Sequence, residues 1–293
     1  MKFGRNVAMN KKNLELVTVV IPCFNSGNTI ERTINSIRNQ SWKNYEIIVV
    51  NDGSTDLDTI NKLSLLEKDV RLINQNNLGL PSARNTGFRE AKGKFILPLD
   101  ADDWIEPKTI EIMYEKLLKF KNASYVFSDI SLEGKFKNVI KNEFNFFEQL
   151  FLNKIPYSIF IPKELWDKVS GYDETFRDGY EDWEFNIRLG NKGFYGTRVN
   201  KALFHYNVNS EGMLISKSSK LHIKIWLKII EKNFKIYKYR NLFFTWLKWR
   251  NHKSEFPLFV YFFWITIVKL IPKKMSLFLF LKMRDIKWFF ARS

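Results

Sequence analysis

Three carboxylates, Asp100, Asp102 and Asp103, follow directly on the apolar run Phe95 to Leu99. Acids this close repel one another, so a fold that presents them together needs a cation or a donor-rich ligand beside them. The plainer reading is a polar turn whose acids face water and cap a helix starting near Pro107. A second acidic cluster lies in Gly171-Tyr172-Asp173-Glu174 and Gly179-Tyr180-Glu181-Asp182-Trp183-Glu184-Phe185. Taken alone, it reads as a helix N-terminus whose acids suit the macrodipole.

The elements around these residues must bring them together. Val17 to Pro22 is β-branched and apolar, a buried first strand, and the small-residue loop Cys23 to Asn28 follows it. A helix is expected from about Thr29 to Gln40, with Ile30, Ile34 and Ile37 on one face. Tyr45 to Val50 is a second strand running into Asn51-Asp52-Gly53-Ser54-Thr55-Asp56, and a helix over roughly Leu57 to Glu67 comes next. Val70 to Asn74 is a third strand, and Pro81 to Ala91 a third helix with proline in its first turn. Strand alternating with helix at this rhythm implies βαβ units and an α/β fold with a mostly parallel sheet, helices on both faces. Pro22 and Asn25, Asp52, Asn76, and Asp100 with Asp102 all fall just past the carboxyl ends of successive strands. That edge is where open α/β sheets bind ligands, and four strand ends converging there weigh against coincidence. The chain has no GxGxxG and no GxxxxGK[ST], against a dinucleotide site or a P-loop.

Beyond Trp104 a helix is expected from Pro107 to Phe120, a strand over Ser124 to Ile130, a strand end at Ile159 to Pro162 and a helix over Lys163 to Val169. Phe144, Phe146, Phe147 and Phe151 read equally as core or as the lining of a cleft. Ala202 to Phe204 is a strand ending in His205-Tyr206, and Ser210 to Ser219 is polar enough for a flap.

Composition sets the rest. The net charge is +16 with 45% hydrophobic residues, ample for a core. One cysteine, Cys23, excludes an internal disulfide framework, and no Cys/His cluster has zinc spacing. Met1 to Lys12 lacks the apolar core of a signal peptide. Residues 220–293 hold 17 of the 47 Lys and Arg residues against three acids, Glu231, Glu255 and Asp285. Lys220, Lys224, Lys228 and Lys232 recur every fourth residue, with Leu221, Ile225 and Ile229 one step on, as in an amphipathic helix. The apolar run Phe256 to Val268 falls short of the ~20 residues that span a bilayer. It fits an interfacial or buried helix. Aromatics interleaved with bases suit an anionic membrane surface. The alternative is a packing or dimerisation module with a solvated lysine face; nucleic acid is disfavoured because the aromatics follow helical spacing.

Val19 to Asn25, Glu46 to Asp56, Asn77 to Gly87 and Leu99-Asp100-Ala101-Asp102-Asp103 together resemble the nucleotide-sugar half of family 2 glycosyltransferases, of bacterial cell-surface polysaccharide type. The resemblance runs from about Val17 to Trp104 and resumes from Gly171 to Tyr206. It implies a GT-A fold, a UDP-sugar donor, and Mn²⁺ or Mg²⁺ as cofactor. Asp100-Ala101-Asp102 matches the family's DxD motif, with Asp100 on the ribose or metal and Asp102 on the metal. Pro22 and Phe24 would wall the base, Asp52 would accept from the uracil N–H, Asn25 and Asn76 lie on the same nucleotide-sugar-binding rim, and Arg84 would neutralise phosphate or hold Asp100. Asp103 reads as a helix-start acid. Asp182 matches the position of the base in an inverting transfer, with Glu181 orienting the acceptor or the base, and His205 completing the metal shell or touching the diphosphate; the plainer reading of His205 is a satisfied strand-end histidine. The QxxRW signature of processive members is missing, in favour of single additions.

The resemblance implies a donor half over residues 15–104, an acceptor half over 105–219 and a basic helical tail over 220–293. The enzyme would add sugar to a glycan or lipid-linked glycan, peripheral at the inner face of the cell membrane, and nothing in the sequence opposes an oligomer. Two alternatives stand: a nucleotidyltransferase of similar fold, although its glycine-rich basic loop is missing, and a non-catalytic, membrane-tethered nucleotide-sugar-binding module.

Overall fold

A computed structural model describes residues 14–66, 68–120, 123–134, 137–208 and 219–270, with side chains in the last segment described from residue 224 on. Met1 to Lys12, all but the last residue of the flap expected at Ser210 to Ser219, the side chains of Lys220 and Leu221, and the tail beyond residue 270 lie outside it.

The first half alternates as the hydrophobic pattern requires. β1 (Val17–Cys23), β2 (Tyr45–Asp52), β3 (Val70–Gln75) and β4 (Phe95–Pro98) are joined by α1 (Gly27–Arg38), α2 (Leu57–Ser64) and α3 (Leu80–Glu90). The strands pair in parallel in the order β3-β2-β1-β4. Every residue of β1 is buried, as a central strand covered on both faces must be. Ile30, Ile34 and Ile37 of α1 pack into the core beneath it. On the other face α3 lies so close that a Cβ on Gly87 would stand 2.2 Å from Val20 Cγ1. Only glycine permits that approach.

The second half adds β5 (Trp104–Ile105), α4 (Thr109–Lys119), β6 (Tyr125–Gly134), β7 (Asn138–Ile140), α5 (Phe146–Gln149), β8 (Ile161–Pro162), α6 (Lys163–Lys168), α7 (Glu181–Asn191) and β9 (Gly196–Val208). β8 closes the first sheet antiparallel to β4, and β5-β9-β6-β7 form a second sheet. A bridge between Val126 and Phe160 links the two.

The C-terminal helices are α8 (Ser219–Lys232), α9 (Tyr239–Trp249) and α10 (Leu258–Leu270). They do not form a detached tail: Trp226, Ile229, Tyr237, Trp249 and Tyr261 share one core with Phe146, Phe147 and Phe151. The undecided phenylalanines are therefore core, and the division expected at residue 219 is not a division between cores. Part of the lysine stripe is engaged by the protein's own groups. Lys228 donates to Thr175 O and Lys232 pairs with Asp173, both lying against the Phe176 ring. No described helix is long and apolar enough to cross a membrane.

Candidate active site

The acidic turn leaves β4 and is held mostly through its backbone. Leu99 N donates to Val20 O at 3.0 Å. From α1, Arg32 Nη2 donates to Asp102 O at 2.6 Å, and the Thr33 hydroxyl lies 2.9 Å from Ala101 O and 2.7 Å from Asp103 O. Asp103 does not cap α4. It is buried, accepts from the Tyr157 hydroxyl at 2.7 Å and from Asn207 N at 2.9 Å, and so braces the turn against β9. Burial first, then Asp102 and Asp100, drive its carboxyl well above the usual range. Tyr157 also accepts from Asp100 N at 3.0 Å, so one phenol fixes the turn at two points.

With their backbones thus occupied, Asp100 and Asp102 keep their carboxylates available to other partners, each about half-buried. Burial, reinforced by Asp100, pushes the Asp102 carboxyl up to about 6. Asp102 has no side-chain ion pair among the described residues, whereas a hard divalent cation would suit its oxygens. Oxygen donors of this kind are compatible with Mn²⁺ or Mg²⁺, and the two carboxylates stand without a third His, Cys, Asp or Glu grouped with them among the described residues.

The rim beside this turn is knit by side chains at strand ends. Asn25, in left-handed backbone at φ 50°, accepts from Thr55 N at 2.8 Å and Asp56 N at 3.2 Å, tying the β1 loop to the β2 loop. Asp52 accepts from Gln75 Nε2 at 2.7 Å, Leu78 N at 2.9 Å and Gly79 N at 2.8 Å. Its carboxylate thus shapes the 76–80 loop. It meets a base only through the lone pairs that remain. Arg177 grips the same loop from the acceptor side, Nε donating to Leu78 O at 2.8 Å. Pro22 is buried, while Phe24 and Asn76 are exposed on the rim.

One residue joins the two acidic clusters. Arg84 of α3 is 1% exposed and bonds Asp100 Oδ1 at 2.6 Å and Glu181 Oε1 at 2.5 Å. Its guanidinium also lies 4.7 Å from the Tyr157 ring centroid. Burial opposes the charge, but the two carboxylates outweigh it and hold Arg84 protonated. The next residue of α3, Asn85, clasps the backbone of Tyr172, accepting from its N–H and donating to its C=O, each at 2.8 Å.

The chain enters α7 through Tyr180, left-handed at φ 62°, a sharp turn that sets Glu181 and Asp182 in the first helical turn. Asp182 is half-buried. Its Oδ1 accepts from Trp183 N at 2.7 Å, and Asn153 Nδ2 lies 3.3 Å from each carboxylate oxygen. Burial raises the Asp182 carboxyl; Arg84 and Asn153 pull it back only in part. Glu181 is raised for the same first reason despite Arg84. Asp100, Glu181 and Asp182 crowd around a single guanidinium, and that excess of negative charge favours proton uptake.

The family model described as Glycosyl transferase family 2 matches residues 18–176, more than half of the chain. The chain belongs to glycosyltransferase family 2. Glycosyltransferase GlyA from Streptococcus pneumoniae serotype 4 is 30% identical over 212 residues, 66% of this chain and 30% of that protein. The chain thus spans under a third of that relative's length. Two solved structures share the GT-A fold. Staphylococcus aureus TarS 1–349 in complex with UDP-GlcNAc aligns at TM-score 0.60 and 18% identity over 73% of this chain and 66% of that one. The mannosyltransferase PcManGT from Pyrobaculum calidifontis, in complex with GDP-Man and Mn²⁺, aligns at 0.58 and 18% over 80% and 68%.

In this glycosyltransferase His205 does not join the acidic turn as expected. Its Nε2 lies 2.8 Å from Glu106 Oε1 and its Nδ1 3.0 Å from Glu133 Oε1, with the ring stacked on Trp104. With both nitrogens engaged it has none left to offer a metal. Tyr157 and Asn153 were not anticipated. Neither sits in a recognisable motif, and each acts on an acid tens of residues away.

Proposed function

We propose that the enzyme transfers a sugar from a UDP-linked donor to a glycan or lipid-linked glycan acceptor, with inversion at the anomeric carbon. The observation that carries this reading is Arg84, which ties the acidic turn and the head of α7 into one cluster. Pro22, Phe24, Asn25, Asp52 and Asn76 form the rim for the nucleoside. Asp100 and Asp102 would hold Mn²⁺ or Mg²⁺, which would supply Lewis-acid stabilisation of the charge on a departing diphosphate. Asp182 takes the proton of the acceptor hydroxyl as its oxygen attacks, a role suited by a carboxyl that burial raises above the ordinary aspartate range. Glu181, buried against Arg84, orients that base.

A thermal-shift screen tests the donor. A UDP-sugar with Mn²⁺ at 100 times its Kd is expected to add about 2.7 kcal/mol, moving the midpoint by roughly 5–10 °C. Stabilisation by GDP-mannose and by no UDP-sugar would reassign the donor. The cation is tested through Asp102. A cation must displace the proton held at about 6, so Mn²⁺ affinity measured by calorimetry is expected to fall roughly fourfold from pH 7.5 to 5.5. The sign for stability follows. With the folded value above the unfolded one, the metal-free protein gains stability from this group as pH falls through 6. An affinity flat across that range would remove Asp102 from the site.

The same reading puts the enzyme at the inner face of the cell membrane. Phe243 and Phe244 of α9 and Phe259 and Phe263 of α10 are 44%, 54%, 72% and 51% exposed. Exposed bases, among them Arg240, Arg250 and Lys253, flank them. Such a surface suits anionic headgroups, each base adding on the order of 1 kcal/mol. Because α8–α10 complete a core, the test is substitution and not truncation. Changing the four phenylalanines to serine is expected to abolish co-sedimentation with anionic vesicles, and undiminished pelleting would refute the membrane role.

A further inference from the structure

Asp182 stands at the start of a helix, and its own helix supplies one of its hydrogen bonds, from Trp183 N. The other contact comes from outside. Asn153 Nδ2 lies 3.3 Å from both carboxylate oxygens, a bifurcated contact that fixes the plane of the carboxylate. Asn153 belongs to no helix or strand, so something else must hold it. Gln149, fully buried, does so twice: Nε2 donates to Asn153 Oδ1 at 3.4 Å, and Oε1 accepts from Lys154 N at 2.9 Å. With its carbonyl turned to Gln149, the Asn153 amide presents its NH₂ to Asp182.

The segment carrying Gln149 and Asn153 is in turn gripped by the C-terminal helices. Leu150 O accepts from Trp226 Nε1 at 3.1 Å and from the Tyr237 hydroxyl at 2.7 Å. Glu148, 2% exposed, accepts from the Tyr261 hydroxyl at 2.5 Å and from Glu255 N at 2.6 Å. On the opposite side, Trp183 Nε1 donates to Gln149 O at 2.6 Å, locking the segment to α7. A buried carboxylate and a buried carbonyl satisfied from α8 to α10 leave this segment one low-energy position.

We infer that Asn153 is a positioning residue for the base, and that the C-terminal helices set the base's geometry through it. The inference rests on Asp182 being the base. The helices are thereby part of the catalytic apparatus, in addition to any role at a membrane. Misplacement of a reacting group by about 1 Å can cost on the order of 100-fold, so a weak steering contact carries weight in turnover without touching donor affinity.

The experiment is a mutant cycle read as kcat, donor KM and UDP affinity by calorimetry. Asn153→Ala is expected to lower kcat about tenfold, with donor KM and UDP affinity within about twofold of wild type. Tyr261→Phe, remote from the cleft, is expected to lower kcat a few-fold in the same way. The double variant is expected to be no slower than Asn153→Ala alone, since the tyrosine acts through the asparagine. Asp182→Asn is run beside them. If it abolishes turnover while Asn153→Ala keeps the wild-type kcat, the positioning role is wrong and the base stands. If Asp182→Asn keeps the wild-type rate, the base reading itself fails. A fall in kcat and UDP affinity together in Asn153→Ala, or losses that multiply in the double variant, also overturns the inference.

Discussion

Asp182→Asn is expected to reduce turnover by about 10²- to 10⁴-fold, the span general-base groups contribute, while UDP-sugar binding persists. The substitution keeps shape and volume, so the contacts to Trp183 N and Asn153 leave room for the fold to survive. What it removes is the proton acceptor. The wild-type pH profile should show the same group: burial sets the Asp182 carboxyl above the ordinary aspartate range. Arg84 and Asn153 lower it, while Asp100 raises it. The acid limb of kcat is therefore expected to lie above that of an exposed aspartate, with activity lost as pH falls. A variant that turns over at the wild-type rate, with UDP still bound, would move the base elsewhere.

Arg84→Met is expected to be the most damaging change to stability. The guanidinium is 1% exposed and neutralises Asp100 and Glu181 together. Removing one partner of a buried pair leaves uncompensated charge and costs ~3–5 kcal/mol. For a domain of this size that is a fall in midpoint of roughly 10 °C. The sign with pH is specific. Without Arg84 nothing offsets the burial that raises the Glu181 carboxyl above its unfolded range, so protonation relieves the penalty and stability recovers as pH falls. Melts of the variant and the wild type should thus diverge most above neutrality and converge toward pH 5. A deficit constant across pH would mean that lost packing, not lost charge compensation, is the cause.

The parts of this molecule legible in its sequence are those set by short periods. Ile30, Ile34 and Ile37 announced α1, and the β-branched runs announced β1 to β4 to within a residue or two. The acids at strand ends were legible as a rim because a parallel sheet must line up its carboxyl ends. The contacts that make the site were not. Arg84 reaches Glu181 across 97 positions, and Tyr157 reaches Asp103 across 54. Such pairings follow from how the second half folds over the first, which no local pattern encodes. The hold of Asp52 on the 76–80 loop was not legible, because a carboxylate at a strand end serves a neighbouring loop as readily as a ligand. His205 sits at a strand end as expected, yet Glu106 and Glu133 claim both of its nitrogens. Phe146, Phe147 and Phe151 stayed ambiguous because a core side chain and a cleft side chain look alike until their partners, here Trp226 and Tyr261, are known.

Leu78 is held by its two ends from different halves of the protein. Its N–H belongs to Asp52, its C=O to Arg177. The two halves are therefore not interchangeable cassettes. A chimera that imports a foreign nucleotide-binding half, or a foreign acceptor half, keeps one of these holds and forfeits the other. Exchange of donor preference between relatives must carry residues 76–80 and the residue at position 177 as one hereditary unit.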